Sequence, residues 1–418
     1  MLRFKQGLTF GLIQMLCFLY IIVWAISPPL MVDDVYRFAA LGAAAVWIAA
    51  QIIRQRPLEI NREVLAAVGF LILVVVTAFI ESSGSTSAIV RNIAPILLSV
   101  CFVMDYFYRE RDDELRGVLE IVLILFIYWN IVTLTELWDD AAVARAIVRN
   151  DATSIDYLRR GIGGYSLIYP QVMISPSVFA CGYAGFRSGR RLSPFIILVW
   201  SVTLLLYAFK ANYAIALFTV FAGIFILLFY KGKHIVGAFI ASVAVFGIIM
   251  AAIYYWVPLR EFLMELFDGT AVAHKIEDLV ATGDTGDATG SIQARMARYL
   301  VSLSAMLKFP IVGILWRVGD IGGHSAVIDS FAKYGWLGGW LYCSMLLYPP
   351  IYFKRRGAGN KLITYSANAT LINFLFIAVL DSVPYSLVCA ALLITPLSFK
   401  ELERYLNVRE GSEDAQSD

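Results

Sequence analysis

Residues Gly322 to Gly339 read Gly-Gly-His-Ser-Ala-Val-Ile-Asp-Ser-Phe-Ala-Lys-Tyr-Gly-Trp-Leu-Gly-Gly, and they mark where a long polar loop gives way to a hydrophobic helix. That change of composition puts His324 at a membrane surface, because the chain around it is built to cross lipid. Of 418 residues, 60% are hydrophobic and 16% charged, with a mean hydropathy of +0.72. Such a balance is too apolar for a water-soluble domain. It implies an all-α polytopic membrane protein, since helices satisfy every backbone polar group internally and about 20 apolar residues cross the hydrocarbon.

Working outward from this stretch, about 12 apolar runs read as spans. They are Leu8 to Ile26, Tyr36 to Ile53, Val64 to Ile80, Ile89 to Tyr108, Leu115 to Leu137, Ser166 to Phe186, Leu192 to Phe209, Ala211 to Tyr230, Ile235 to Val257, His324 to Phe353, Leu362 to Leu380 and Pro384 to Phe399. The division expected is an N-terminal bundle of about nine spans over 1–257 with an outer loop at 138–165. A large outer loop at 258–323, C-terminal spans over 324–400 and a disordered tail at 401–418 complete it.

Lysine and arginine set the orientation, because short cytoplasmic loops retain positive charge. Arg54, Arg56 and Arg62, then Arg109, Arg111 and Arg116, then Arg187, Arg190 and Arg191 fall in alternate connections. Lys231 and Lys233, and Lys354, Arg355, Arg356 and Lys361, continue the pattern. All lie on one side, with both termini; Arg37 and Arg91 are the exceptions. The first run is long enough to span and lacks a small-residue cleavage site, so it reads as a retained helix. Cys17, Cys101, Cys181, Cys343 and Cys389 all fall inside spans without metal-ligand spacing.

The outer loops carry the unexpected charge. Loop 138–165 mixes Arg145, Arg149, Arg159 and Arg160 with Asp139, Asp140, Asp151 and Asp156, and a short amphipathic helix is expected over 141–148. It reads either as a solvated surface or as a rim for an anionic glycan. The late loop has an amphipathic segment over 259–280, a flexible Gly, Asp and Thr run over 281–291, and a helix over 292–309 closed by Pro310. Asp284 and Asp287 lack the closing glutamate of a calcium loop, so no metal is expected.

Within that last helix, Arg295 and Arg298 are three residues apart and share a face. Two guanidiniums so placed suit a diphosphate, since their planar forks match phosphate geometry and do not lose their charge. An anchor to anionic headgroups is the competing reading. Lys210, in a very short outer turn, either snorkels or meets a phosphate, and Lys308 and Arg317 are further cations with no spacing to fix their role. His324 reads as a helix-start residue on its own. Beside Arg295 and Arg298 it would stay neutral and able to accept a proton. Asp329 and Lys333, four apart, read as an ion pair inside the helix.

Arg295, Pro310-Ile-Val-Gly313, Gly322-Gly-His-Ser325, Asp329 and Tyr334-Gly-Trp-Leu-Gly338 together resemble the C-terminal signature of the O-antigen polymerase and ligase superfamily, in particular polysaccharide polymerases of the Wzy type. The resemblance implies a GT-C-like bundle with a large late periplasmic loop in a bacterial inner membrane. It implies a metal-independent glycosyltransferase without a cofactor, acting on undecaprenyl-diphosphate-linked oligosaccharide as donor and acceptor. Arg295 and His324 would be catalytic, with Arg295, Arg298, Lys210 and Arg317 holding the diphosphate. Where the family often has arginine after serine in the earlier span, this chain has Phe209-Lys210-Ala211. His-Ser rather than His-Asn leans toward polymerase. A ligase transferring glycan to a lipid A core is the alternative within enzymes, and a lipid-linked oligosaccharide flippase the alternative of another class, although no internal repeat is present. The lipid bilayer and a chain-length regulator are expected partners, and nucleic acid is not.

Overall fold

A computed structural model describes residues 2–53, 62–80, 115, 117–140, 143, 147, 152–189, 192–211, 213–230, 232, 234–266, 273, 276–277, 280–281, 290–314, 321–381 and 388–414. Helices joined by turns and short irregular links account for these residues, with no strand among them. The elements are α1 (Leu2–Ile26), α2 (Pro28–Val32), α3 (Asp34–Ile53), α4 (Arg62–Ile80), α5 (Val118–Asp139), α6 (Ala152–Arg159), α7 (Tyr165–Arg187) and α8 (Leu192–Lys210). There follow α9 (Ala214–Phe229), α10 (Ile235–Tyr255), α11 (Val257–Leu266), α12 (Gly290–Lys308), α13 (Ala326–Arg356), α14 (Lys361–Leu380), a π-helical turn (Ala390–Ile394) and α15 (Thr395–Asp414).

Among the described residues, five stretches are long and apolar enough to cross a membrane: Asp34–Ile53, Val118–Asp139, Ser193–Lys210, Ile235–Tyr255 and Lys361–Leu380. Shorter apolar helices cover Gly11–Ile26, Val64–Thr77 and Ala214–Phe229. Sequence patterning marks α7 and α13 as spans too, but both carry polar residues that the bundle absorbs. In α7, Gln171, Ser175 and Ser177 are fully buried, and in α13 so are Asp329 and Ser330 within a few per cent. The run Ile89 to Tyr108, the start of the last run and most of the helix expected over 141–148 lie outside the described residues.

Helices α7 and α14 form the centre. They pack on each other, α7 also against α8, α9 and α15, and α14 also against α9 and α13. Burial grades outward accordingly, from 72% of the α14 window to 12% of the α10 window. Polar side chains join the inner helices: Gln171 exchanges two hydrogen bonds of 2.9 Å with Asn130 of α5 and accepts another of 2.9 Å from the Trp200 indole of α8. In lipid, where apolar contact alone distinguishes helices poorly, such bonds act as glue.

Helix α13 is broken at Gly335, whose φ of 69° and ψ of −172° are open to glycine and essentially to nothing else. In an unbroken helix the Trp336 amide would donate to the Ala332 carbonyl. Here it donates to the Pro310 carbonyl at 2.7 Å, and Ala332 accepts instead from the Ile314 amide at 3.0 Å. The turn after α12 thus takes over both halves of the missing bond. A Cβ on Gly335 would lie 2.2 Å from the Ile311 carbonyl oxygen, and one on Gly313 would lie 2.4 Å from that of Lys333. Bare backbone is what lets the two segments touch.

The C-terminal segment corrects the expectation of a disordered tail from residue 401. Helix α15 runs on to Asp414, and Leu402 and Tyr405 are buried against the bundle. Their three-residue spacing gives the helix an apolar face, and Arg356 of α13 pairs with Glu403 at 3.4 Å.

Candidate functional site

Helix α12 ends at Lys308, two residues before Pro310, which lacks the amide a further turn would need. Arg295, Arg298, Tyr299 and Ser302 lie on one of its faces at offsets of 3, 4 and 7. That face packs on α13. Ser302 is buried, accepts from the Gly322 amide at 2.8 Å and donates to Oδ1 of Asp329 at 2.5 Å. Oδ2 of Asp329 accepts from the Ser325 amide at 3.0 Å. The Asp329 carboxylate therefore holds the loop onto α12 and α13 rather than pairing with Lys333, whose ammonium sits 5.7 Å from the centroid of the Tyr334 ring. An adjoining flank of α12 is apolar and exposed at Met296, Leu300, Leu303 and Leu307.

Two helix termini meet this face. Ser325 caps α13, its hydroxyl accepting from the Ile328 amide at 3.1 Å, and the Ala326 amide donates to the Asp381 carbonyl at 2.9 Å. The last carbonyl of α14, at Leu380, has no partner within its own helix. It accepts from Arg295 at 3.3 Å and from the Tyr299 hydroxyl at 3.2 Å. A guanidinium is favoured there, since the C-terminal end of a helix carries partial negative charge.

Arg298 Nη1 lies 2.7 Å from Nε2 of His324. A guanidinium only donates, so Nε2 must accept, which leaves the imidazole neutral with its proton on Nδ1. Burial and the Arg298 and Arg295 guanidiniums push the His324 pKa below the ordinary value, against the opposing pull of Asp381 and Asp329. Tyr299 is pushed up by burial, with Arg295 opposing. The arrangement is one anchored guanidinium, one exposed guanidinium and one neutral imidazole gathered where α12, α13 and α14 converge. It can bind an oxyanion and take a proton within the same small region.

No protein-family model and no curated protein sequence matches this chain.

Of the cations expected here from sequence, Lys210 is elsewhere engaged: its ammonium stands 4.0 Å over the Trp138 ring at the end of α5. Among the described residues that ring is its contact, and Arg295, Arg298 and His324 are not. Arg317 lies outside the described residues. Sequence reasoning passed over Asp381, whose Oδ2 accepts from the Tyr169 hydroxyl at 2.6 Å. Tyr165 stacks on Tyr169 at 5.0 Å and leans on Tyr213 at 4.6 Å, so an aromatic wall of α7 backs the carboxylate. One signal was available: Asp381 is the single charged residue between Lys361 and Lys400. Among the described residues no three His, Cys, Asp or Glu side chains gather as a metal site.

Proposed function

We propose that this protein is a polysaccharide polymerase of a bacterial inner membrane, with about 12 spans, both termini in the cytoplasm and α12 on the periplasmic side. It transfers a growing glycan from undecaprenyl diphosphate onto the next lipid-linked repeat unit. The contact between Arg298 and His324, with Arg295 one turn away, supports this reading most directly. The exposed apolar stripe of α12 suits a helix lying at the bilayer surface, where its guanidiniums meet phosphate at headgroup height.

In this reaction the bond between the anomeric carbon and the diphosphate oxygen breaks, and the oxygen leaves with the electron pair. Arg295 and Arg298 stabilise the charge that develops on it more strongly in the transition state than in the ground state. An acceptor sugar hydroxyl attacks the opposite face and gives its proton to Nε2 of His324, so the anomeric configuration inverts. Neither nucleotide nor metal takes part.

Replacing Arg295 or His324 with alanine should leave the protein in the membrane and abolish the ladder of long glycan on a gel. A normal ladder from both variants would overturn the assignment. Deletion of the protein should leave single repeat units on the lipid core, whereas loss of every repeat unit would make it a ligase.

A further inference from the structure

The two arginines are held differently. Arg295 is tethered to the Leu380 carbonyl and partly buried, whereas Arg298 is exposed and has the His324 imidazole as its hydrogen-bond partner among the described residues. That bond occupies the lone pair on Nε2, the very electrons a proton acceptor needs. In this state His324 is assembled but blocked.

An anionic phosphate oxygen is a stronger acceptor for a guanidinium than a neutral imidazole is. We propose that Arg298 is a substrate-operated switch: phosphate oxygens draw its guanidinium off Nε2 of His324, and only then is the imidazole free to accept a proton. The inference rests on the phosphate-binding reading given under Proposed function and adds its order of events. The exchange is balanced, since one N–H donor leaves a nitrogen acceptor for an oxygen acceptor and the vacated lone pair receives the hydroxyl proton of the acceptor sugar. The groups facing the imidazole are Arg295 and Arg298 from α12, Asp329 from α13 and Asp381 beyond α14. Once phosphate neutralises Arg298, the carboxylates weigh more and the ring becomes more basic. Arg298 is then a positioning residue for the base as well as a ligand.

The test uses the full chain in discs of uncharged lipid, with 15N-labelled imidazoles and inorganic pyrophosphate as the probe. There are three histidines, and the His324→Asn variant assigns the signal. Without pyrophosphate, His324 should carry its proton on Nδ1. At saturating pyrophosphate, confirmed by calorimetry, its pKa should rise by about one unit or more. In Arg298→Ala it should start high and move by less than half as much. Equal shifts in both proteins, or bound pyrophosphate with an unmoved imidazole, would overturn the switch while leaving phosphate binding intact. If pyrophosphate does not bind at all, the phosphate reading falls and the switch with it. Discs of anionic lipid without pyrophosphate form the last arm, and an open switch there would mean that headgroups, not substrate, operate it, which also overturns the proposal.

Discussion

His324 is held neutral by burial and two neighbouring guanidiniums, and this sets the direction of its pH dependence. In the reaction proposed above His324 is the base, and a base works when deprotonated, so activity should be retained above the lowered pKa and lost as pH falls through it. The acid limb of kcat/KM, which reports the free protein, should therefore lie below the ordinary histidine value of about 6.5. A limb above 7 in a pH-rate profile would assign the proton transfer to another group. Arg295, Arg298 and His324 were legible from sequence because helical spacing puts the arginines on one face and a polar-to-apolar change puts the histidine at a helix mouth. Asp381 and Tyr169 were not, because their contact spans 212 residues and no local pattern connects them. The contact of Lys210 with Trp138 was hidden for a similar reason, since that ring stands at the end of α5, far upstream in sequence.

Among the elements, α13 departs furthest from its sequence pattern. Its periodicity predicts a continuous helix, and the break at Gly335 depends on a turn more than twenty residues upstream that sequence periodicity does not register. Gly335→Ala should destabilise the protein by about 1 to 3 kcal/mol, since it forces an L-residue into a glycine-only conformation and against the Ile311 carbonyl. Gly42→Ala in α3, where an added Cβ meets nothing within 4 Å, should instead stabilise by up to about 1 kcal/mol. Thermal unfolding of the two variants in detergent compares them directly. Equal melting temperatures would show that the splice at Gly335 is relaxed at little cost. Helix α12, expected over 292–309 and found over Gly290–Lys308, was readable because Pro310 stops it by a purely local mechanism.

At the scale of the molecule, composition dictates a helical membrane protein, but the order of packing depends on which polar residues find one another. Gln171 is the clearest case, with four hydrogen bonds to Asn130, Trp200 and its own helix. Gln171→Leu should lower stability by about 1 to 2 kcal/mol by stranding Asn130 and the Trp200 indole, and part of that loss should return when Asn130→Leu is added. Strict additivity in a double-mutant cycle would mean that the two side chains are not coupled. Helix α12 is fastened near its start through Arg295 and Tyr299 to the end of α14, and at its finish by the backbone exchange with α13. A helix clamped at both ends does not swing as a flap. Under the polymerase reading proposed above, a lengthening substrate chain would have to slide past a stationary sill, so that turnover should depend on how easily the product drifts sideways into the lipid rather than on the opening of a cover.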